Sequence, residues 1–256
     1  MTAATPLSSF DIDGRVAIVT GGSRGIGRAI ATGFASLGAH VVVASRKADA
    51  CDDAVAEITE AGGSALAVPT HVGDVDQIEA LVAATVERFG GVDIVVNNAA
   101  NPLALPIGSI TPEALAKSYE ANLRGPLFLV QSALPHLRAS DHASVVNIIT
   151  AGVFTTGAYV SMYVAAKSAL LSMTRSMAAE LVADGIRVNA IAPGTVRTAM
   201  VESASEAFQE FAVGSQLIKR MAEPDEMVPG ALFLASDASS FMTGQALVID
   251  GGMTVH

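Results

Sequence analysis

The chain has 256 residues, 51% of them hydrophobic and only 16% charged, with a mean hydropathy of +0.47 and a formal net charge of −10. That length and composition suit one large apolar core and rule out a disordered or linker-like chain. The acidic balance argues against nucleic acid or an anionic membrane face as partner, although a few aimed donors can still hold one anionic cofactor.

Met1–Ser9 lacks the basic and apolar regions of a signal peptide. Every apolar run is too short and too broken to span a membrane, so a soluble cytoplasmic protein is expected. Val16–Thr20 predicts a strand and Ile26–Leu37 a helix. Val41–Ala44 is the next strand, with a helix over about 49–61. The single cysteine, Cys51, allows no internal disulfide and reads as inert packing or surface. Ala65–Pro69 and Val92–Asn97 predict strands around a helix near 75–89. A long helical zone follows over about 112–138, despite Pro126 and Pro135. Ser144–Ile149 predicts a strand, Ser161–Ala183 a helix and Arg187–Ala192 a strand. A helical insertion near 201–220, a helix over Pro224–Ala235 and a strand over Ala246–Ile249 close the chain.

Seven strands joined by helical crossovers predict an α/β fold with a parallel sheet. The strands are apolar on both faces, so helices are expected on both sides of one doubly wound, Rossmann-type sheet. No composition break marks a second domain, and residues 1–256 read as a single one. The five histidines have no ligand spacing, and no metal is expected.

Thr20-Gly21-Gly22-Ser23-Arg24-Gly25-Ile26-Gly27 lies between the first strand and the first helix. Glycines at 21, 25 and 27 let the backbone turn and a pyrophosphate come close, and the helix amino terminus offers N–H groups and a positive dipole end. Alone, such a turn is a weak signal, and the competing reading is a mere connector between strand and helix. After the second strand come Ser45, Arg46 and Lys47, with no carboxylate to accept from a free ribose 2′-hydroxyl. With Arg24 nearby, these cations favour NADP(H) over NAD(H), because guanidinium groups bind phosphate well. The competing reading is ordinary solvated charge and NAD(H).

Tyr163 and Lys167 are four apart on one predicted helix and share a face. A nearby ammonium favours the phenolate and brings the tyrosine toward working range as an acid/base. Alone, Tyr-x3-Lys is a common accident. The order of motifs is not. The glycine turn, Asn97-Asn98-Ala99-Ala100, Asn122, a hydroxyl residue, Tyr163-x3-Lys167 and Pro193-Gly194 together resemble the short-chain dehydrogenase/reductase family, over about residues 11–252.

The resemblance implies that Tyr163 is the general acid/base and that Lys167 bonds the nicotinamide ribose and lowers the tyrosine pKa. It gives Asn122 a water in the proton relay. Asn98 and Ala99 are implied to contact the adenosine side, and Pro193, Gly194, Val196 and Thr198 to position the carboxamide. The competing readings are that Asn122 only bonds helix backbone, that Pro193-Gly194 only makes a turn after a strand, and that Thr198 caps the next helix.

Three positions depart from the family pattern. The usual serine thirteen residues before the tyrosine is Thr150, whose hydroxyl still donates but whose methyl stiffens χ1. Thr155, Thr156 and Ser161 are nearby hydroxyls at the wrong spacing. Ala100 replaces a glycine. His71 stands where an aspartate often meets adenine, leaving backbone groups of His71 and Val72 for that contact.

The segment at about 199–220 resembles the family's variable substrate lid. Phe208 and Phe211 share one side of it and either close over an apolar substrate or pack the lid on the core. Leu103, Val153, Phe154 and Tyr159 are candidate pocket walls. The family usually forms homotetramers, and the apolar run Phe241–Val255 suits such an interface.

The expected activity is NADP(H)-linked hydride transfer to a small apolar carbonyl or from an alcohol, with a 3-oxoacyl thioester as one substrate class. An enoyl reductase of the wider Tyr-x6-Lys type needs tyrosine at 160, which is Val160. A non-catalytic NADP-binding regulator or scaffold that keeps the fold is the alternative.

Overall fold

The structure is a computed structural model and describes residues 6–155 and 157–254. Its centre is one parallel sheet of seven strands: β1 (Val16–Thr20), β2 (His40–Ser45), β3 (Ser64–Pro69), β4 (Ile94–Asn97), β5 (Ser144–Ile148), β6 (Arg187–Pro193) and β7 (Ala246–Ile249). The spatial order is β3-β2-β1-β4-β5-β6-β7. Helical crossovers join the strands: α1 (Gly25–Ser36), α2 (Ala48–Glu60), α3 (Val75–Phe89), α4 (Pro112–Tyr119), α5 (Gly125–Ala139), α6 (Ser161–Leu181), α7 (Ala199–Glu202), α8 (Glu206–Gly214) and α9 (Val228–Ala235).

Period-two alternation divides the strand side chains between two cores. Ala17, Val19, Val41 and Val43 pack with Phe34 of α1, Ile58 of α2 and Leu234 of α9. Ile18, Val42, Val95 and Val145 face the other way, against Leu81 of α3, Leu129 of α5 and Met177 of α6. Both faces of the sheet are thus covered, as its apolar strands require. Local chemistry sets the ends of the elements. Asp74 accepts from the backbone N–H groups of Asp76 and Gln77 to start α3, and Gly90 ends it in the left-handed region at φ 87.

Three expectations change in detail, the first being that the helix over Pro224–Ala235 opens with a 3-10 turn, Pro224–Met227, before α9. The helical zone at 112–138 is two α-helices joined by a π-helical turn, Glu120–Arg124. Gly125 at its end is pressed on the loop after β3, where a Cβ would stand 2.5 Å from the Val72 carbonyl oxygen. The insertion after β6 is two short helices, not one. Among the described residues, no helix is long and apolar enough to cross a membrane, and no group of His, Cys, Asp and Glu is arranged to hold a metal ion.

Candidate active site

Strand order reverses between β1 and β4, and the carboxyl ends of a parallel sheet open a crevice at such a point. The glycine turn lies there. Gly21 has φ 65 and donates to the Ala44 carbonyl at 2.7 Å. Thr20 Oγ1 is buried, accepts from the backbone N–H groups of Asn98 (3.0 Å) and Ala99 (3.1 Å), and donates to the Val96 carbonyl at 3.2 Å. Asn98 Nδ2 donates to the carbonyls of Thr20 (2.9 Å) and Gly21 (3.3 Å). The Asn98 amide thus ties the turn to β4 instead of reaching outward. Gly27 is required by this closeness, since a Cβ there would collide with the Gly21 oxygen and Asn98 Nδ2.

Beyond the turn, Ser23 and Gly27 are buried and Ile26 packs on the first core. Arg24 precedes α1, whose first turn has no side-chain cap and no acidic residue. Its N–H groups and dipole end suit a pyrophosphate. Ser45 is half-buried at the end of β2, its carbonyl accepting from Thr70 N at 2.8 Å. Arg24, Arg46 and Lys47 are exposed, and among the described residues none forms an ion pair. Their charges are therefore available to an anionic ligand. His71 is exposed and keeps to its own turn. Its N–H donates to Gln77 Oε1 at 2.8 Å, its carbonyl accepts from Asp74 N, and its Nδ1 accepts from Gly73 N at 3.1 Å. The Val72 carbonyl faces Gly125. Little of the His71 backbone is left for a base.

On α6, Tyr163 and Lys167 share one face, with Nζ 6.0 Å from the centre of the phenol ring. Nζ donates to the Ile148 carbonyl at 2.8 Å, and Lys167 is 1% exposed. Burial lowers the Lys167 pKa to about 8 and raises that of Tyr163 to about 12. The expected lowering of the phenol by its lysine is not seen within the chain, because loss of hydration outweighs an ammonium 6.0 Å off the ring. Tyr163 is half-buried and keeps an open side, whereas Lys167 is enclosed.

Thr150 follows β5 by two residues. Its Oγ1 accepts from Gly152 N at 3.2 Å, leaving the hydroxyl proton free to donate. A Cβ on Gly152 would be 3.4 Å from both Thr150 Oγ1 and Val164 Cγ2, so this loop lies on the first turn of α6. The proton of Tyr163 likewise has no acceptor among the described residues. Asn122, fully buried in the π-helical turn, clasps the backbone of Asn101. Its Oδ1 accepts from Asn101 N at 3.1 Å, and its Nδ2 donates to Asn101 O at 2.8 Å and Ser118 Oγ at 3.1 Å. Its side chain thus fixes the loop after β4. π-turns of this kind recur at functional sites. Of the other hydroxyls, Thr155 is exposed, Ser161 Oγ is buried with no partner among the described residues, and Thr156 lies outside them.

Pro193 ends β6, and Gly194 is needed because Asp250 Cα would be 2.7 Å from a Cβ there. Val196 is buried and bridges Ala222. Thr198 precedes α7 without capping it, and its methyl would meet a Cβ on Gly25 at 3.1 Å. The 193–198 segment therefore bends over the glycine turn. The buried amide of Gln216 holds the far side of the lid. It accepts from Thr195 N at 2.9 Å and donates to the carbonyls of Ile218 (3.2 Å) and Arg220 (2.8 Å). Phe208 is 43% and Phe211 70% exposed, so neither packs the lid on the core. Val153 and Phe154 join an inner cluster, Leu103 is buried, and Tyr159 is exposed at φ 68. Phe241 stands fully exposed, while Val255 lies outside the described residues.

Sequence reasoning missed Thr20, Ser118 and Gln216. Only Thr20, a polar residue ending an apolar strand beside the glycines, left a readable signal.

The family described as Enoyl-(Acyl carrier protein) reductase matches residues 21–254. A short-chain dehydrogenase/reductase of Arabidopsis thaliana is 40% identical over 245 residues, covering 94% of this chain and 95% of its own. Human dehydrogenase/reductase SDR family member 4 is 36% identical, covering 98% and 90%. A crystal structure of a short-chain type dehydrogenase/reductase from Mycobacterium marinum superposes with a TM-score of 0.93 at 32% identity, over 98% of this chain and all of that one. With identity and fold shared along nearly the whole length, the chain belongs to the short-chain dehydrogenase/reductase family of oxidoreductases.

Proposed function

We propose that the chain is a single catalytic domain that reduces a small apolar ketone or aldehyde with NADPH, or runs the reverse oxidation. The observation that carries this reading is Lys167, a buried ammonium held on the Ile148 carbonyl and sharing a helix face with Tyr163. An isolated charge this deep is costly, so it requires a task. A bound nicotinamide supplies or accepts the hydride. Tyr163 gives its proton to the carbonyl oxygen, Thr150 donates a hydrogen bond to the same oxygen, and Lys167 steadies the phenolate left behind. Asn122 holds the loop that frames the ring. Pro193, Gly194, Val196 and Thr198 border the nicotinamide, and Gly21, Ser23, Arg24, Gly25, Ile26 and Gly27 border the diphosphate. Ser45, Arg46, His71, Val72, Asn98 and Ala99 border the adenosine.

The cation rim with no carboxylate supports NADP(H) over NAD(H). The lid over about 199–220 supports an apolar substrate, since its two phenylalanines face outward from the core. We infer a homotetramer on family resemblance and the exposed apolar Phe241, and a cytoplasmic location on apolar runs too short to span a membrane. Enoyl reduction is disfavoured by Val160, which stands where the wider spacing needs a tyrosine.

NADPH oxidation with a panel of ketones, aldehydes and β-ketoesters tests the activity. Tyr163→Phe is expected to lower kcat by about 10²–10⁴-fold while NADPH still binds. Undiminished turnover in that variant removes the proposed acid, and tight NADPH binding with no turnover of any carbonyl by the unaltered protein favours the scaffold reading.

A further inference from the structure

Three polar side chains lie in the apolar interior between β4 and α6. Asn97 Nδ2 donates to Asn147 Oδ1 at 2.9 Å, Asn147 Nδ2 donates to Thr174 Oγ1 at 2.9 Å, and Thr174 Oγ1 donates to the Leu170 carbonyl at 2.8 Å. Asn97 is 2% exposed and the other two are fully buried. Asn97 and Asn147 are direct neighbours in the register of β4 and β5. Polar groups at this depth cost free energy unless paired, and an apolar trio of similar shape would spare that cost. What a satisfied buried network adds is a single, rigid arrangement.

The arrangement concerns α6. Thr174 follows Lys167 by seven residues, two helical turns, and lies on the same stripe. Between them Leu170 and Leu171 pack on Ile149, Ala190 and Ala192. Apolar burial has no direction and lets a helix slide or roll on the sheet. Two directional bonds on one stripe prevent both motions. Lys167 Nζ bonds the Ile148 carbonyl, and Thr174 Oγ1 accepts from Asn147, so both land on consecutive residues of β5. On the other side Asn97 leads directly into Asn98, which ties the glycine turn.

We propose that Asn147 and Thr174 are positioning residues that set the register of α6 against β5, and so hold Tyr163 and Lys167 at a fixed distance from the glycine turn. The inference rests on the catalytic reading above.

The test separates the hydroxyl from the methyl at position 174. Thr174→Val keeps the shape and removes the hydroxyl, whereas Thr174→Ser keeps the hydroxyl and removes the methyl. The pin predicts that Thr174→Val lowers kcat about tenfold or more, with KM changed less than about twofold, and that Thr174→Ser stays near the unaltered protein. A packing role predicts the opposite order. A second readout needs no turnover. The chain has four lysines, so isotope-labelled lysine NMR follows the one buried ammonium through its titration. Its midpoint, near 8 in the unaltered protein, is expected to move in Thr174→Val and to return in Thr174→Ser. Should Thr174→Val not fold, Thr174→Ala against Thr174→Ser isolates the hydroxyl on the same two readouts. Unaltered kcat and midpoint in the variant lacking the hydroxyl, or equal impairment in the serine variant, overturns the proposal. If the unaltered protein turns over no carbonyl, the catalytic reading fails, and the lysine midpoint alone still decides whether the pin sets that ammonium's surroundings.

Discussion

Lys167 and Tyr163 make opposite demands on pH. An ordinary lysine keeps its proton to about 10.5, and the buried Lys167 releases it near 8. Between those values the unfolded chain holds a proton that the folded chain has lost, so stability rises with pH across that window. The ordinary tyrosine loses its proton near 10, and the folded Tyr163 keeps it to about 12. Above pH 10 the unfolded chain therefore binds fewer protons at this site, and stability falls. Denaturant melts are expected to show stability climbing from pH 8 to 10 and turning over above it. The climb should be reduced in Lys167→Met and the turnover in Tyr163→Phe. A Lys167→Met curve that climbs as steeply as the original assigns the rise to other groups. The pair was legible in the sequence as a spacing. The direction of the phenol's shift was not, because spacing reports which face two groups share and says nothing of how much water each loses.

At the scale of elements, the glycine turn works as one piece with the end of β4. Gly27→Ala is expected to force the Gly21 carbonyl and the Asn98 amide apart. The overpacking should cost about 1–3 kcal/mol and abolish dinucleotide binding, read by melting and by NADPH fluorescence titration. Binding that survives the alanine would show that the turn has slack. Most elements were readable from the chain. β1 and β7 have the expected ends, and the other strands differ by one or two residues, because their apolar runs are bounded by Gly, Asp or Ser. The break within 112–138 was legible in part. Pro126 offers no N–H to the Asn122 carbonyl and its ring crowds it, which marks where the α-helix yields, whereas the press of Gly125 on the Val72 carbonyl joins segments far apart in sequence. Asn147 and Thr174 were missed for a similar reason. A polar residue in an apolar strand is visible, but its partner on a helix 27 residues later is not.

Across the whole molecule, a net charge of −10 surrounds a small cationic rim at Arg24, Arg46 and Lys47. Such a rim attracts a polyanion only at short range, and salt screens it. Arg46→Ala or Arg24→Ala is expected to weaken NADPH binding about tenfold, with little change for NADH, and the NADPH affinity should fall as salt rises. Equal losses for both cofactors would move the phosphate contact elsewhere. The lid and the end of the chain are also joined. Ile218 N donates to the Gly251 carbonyl at 2.8 Å, a Cβ on Gly252 would press on Leu217, and Asp250 gathers the N–H groups of Gly252 and Thr254. A purification handle fused after this end would tug on the mouth of the crevice through that seam. One fused ahead of the first strand would not, and kinetic constants for bulky substrates should be compared between the two placements before either is trusted.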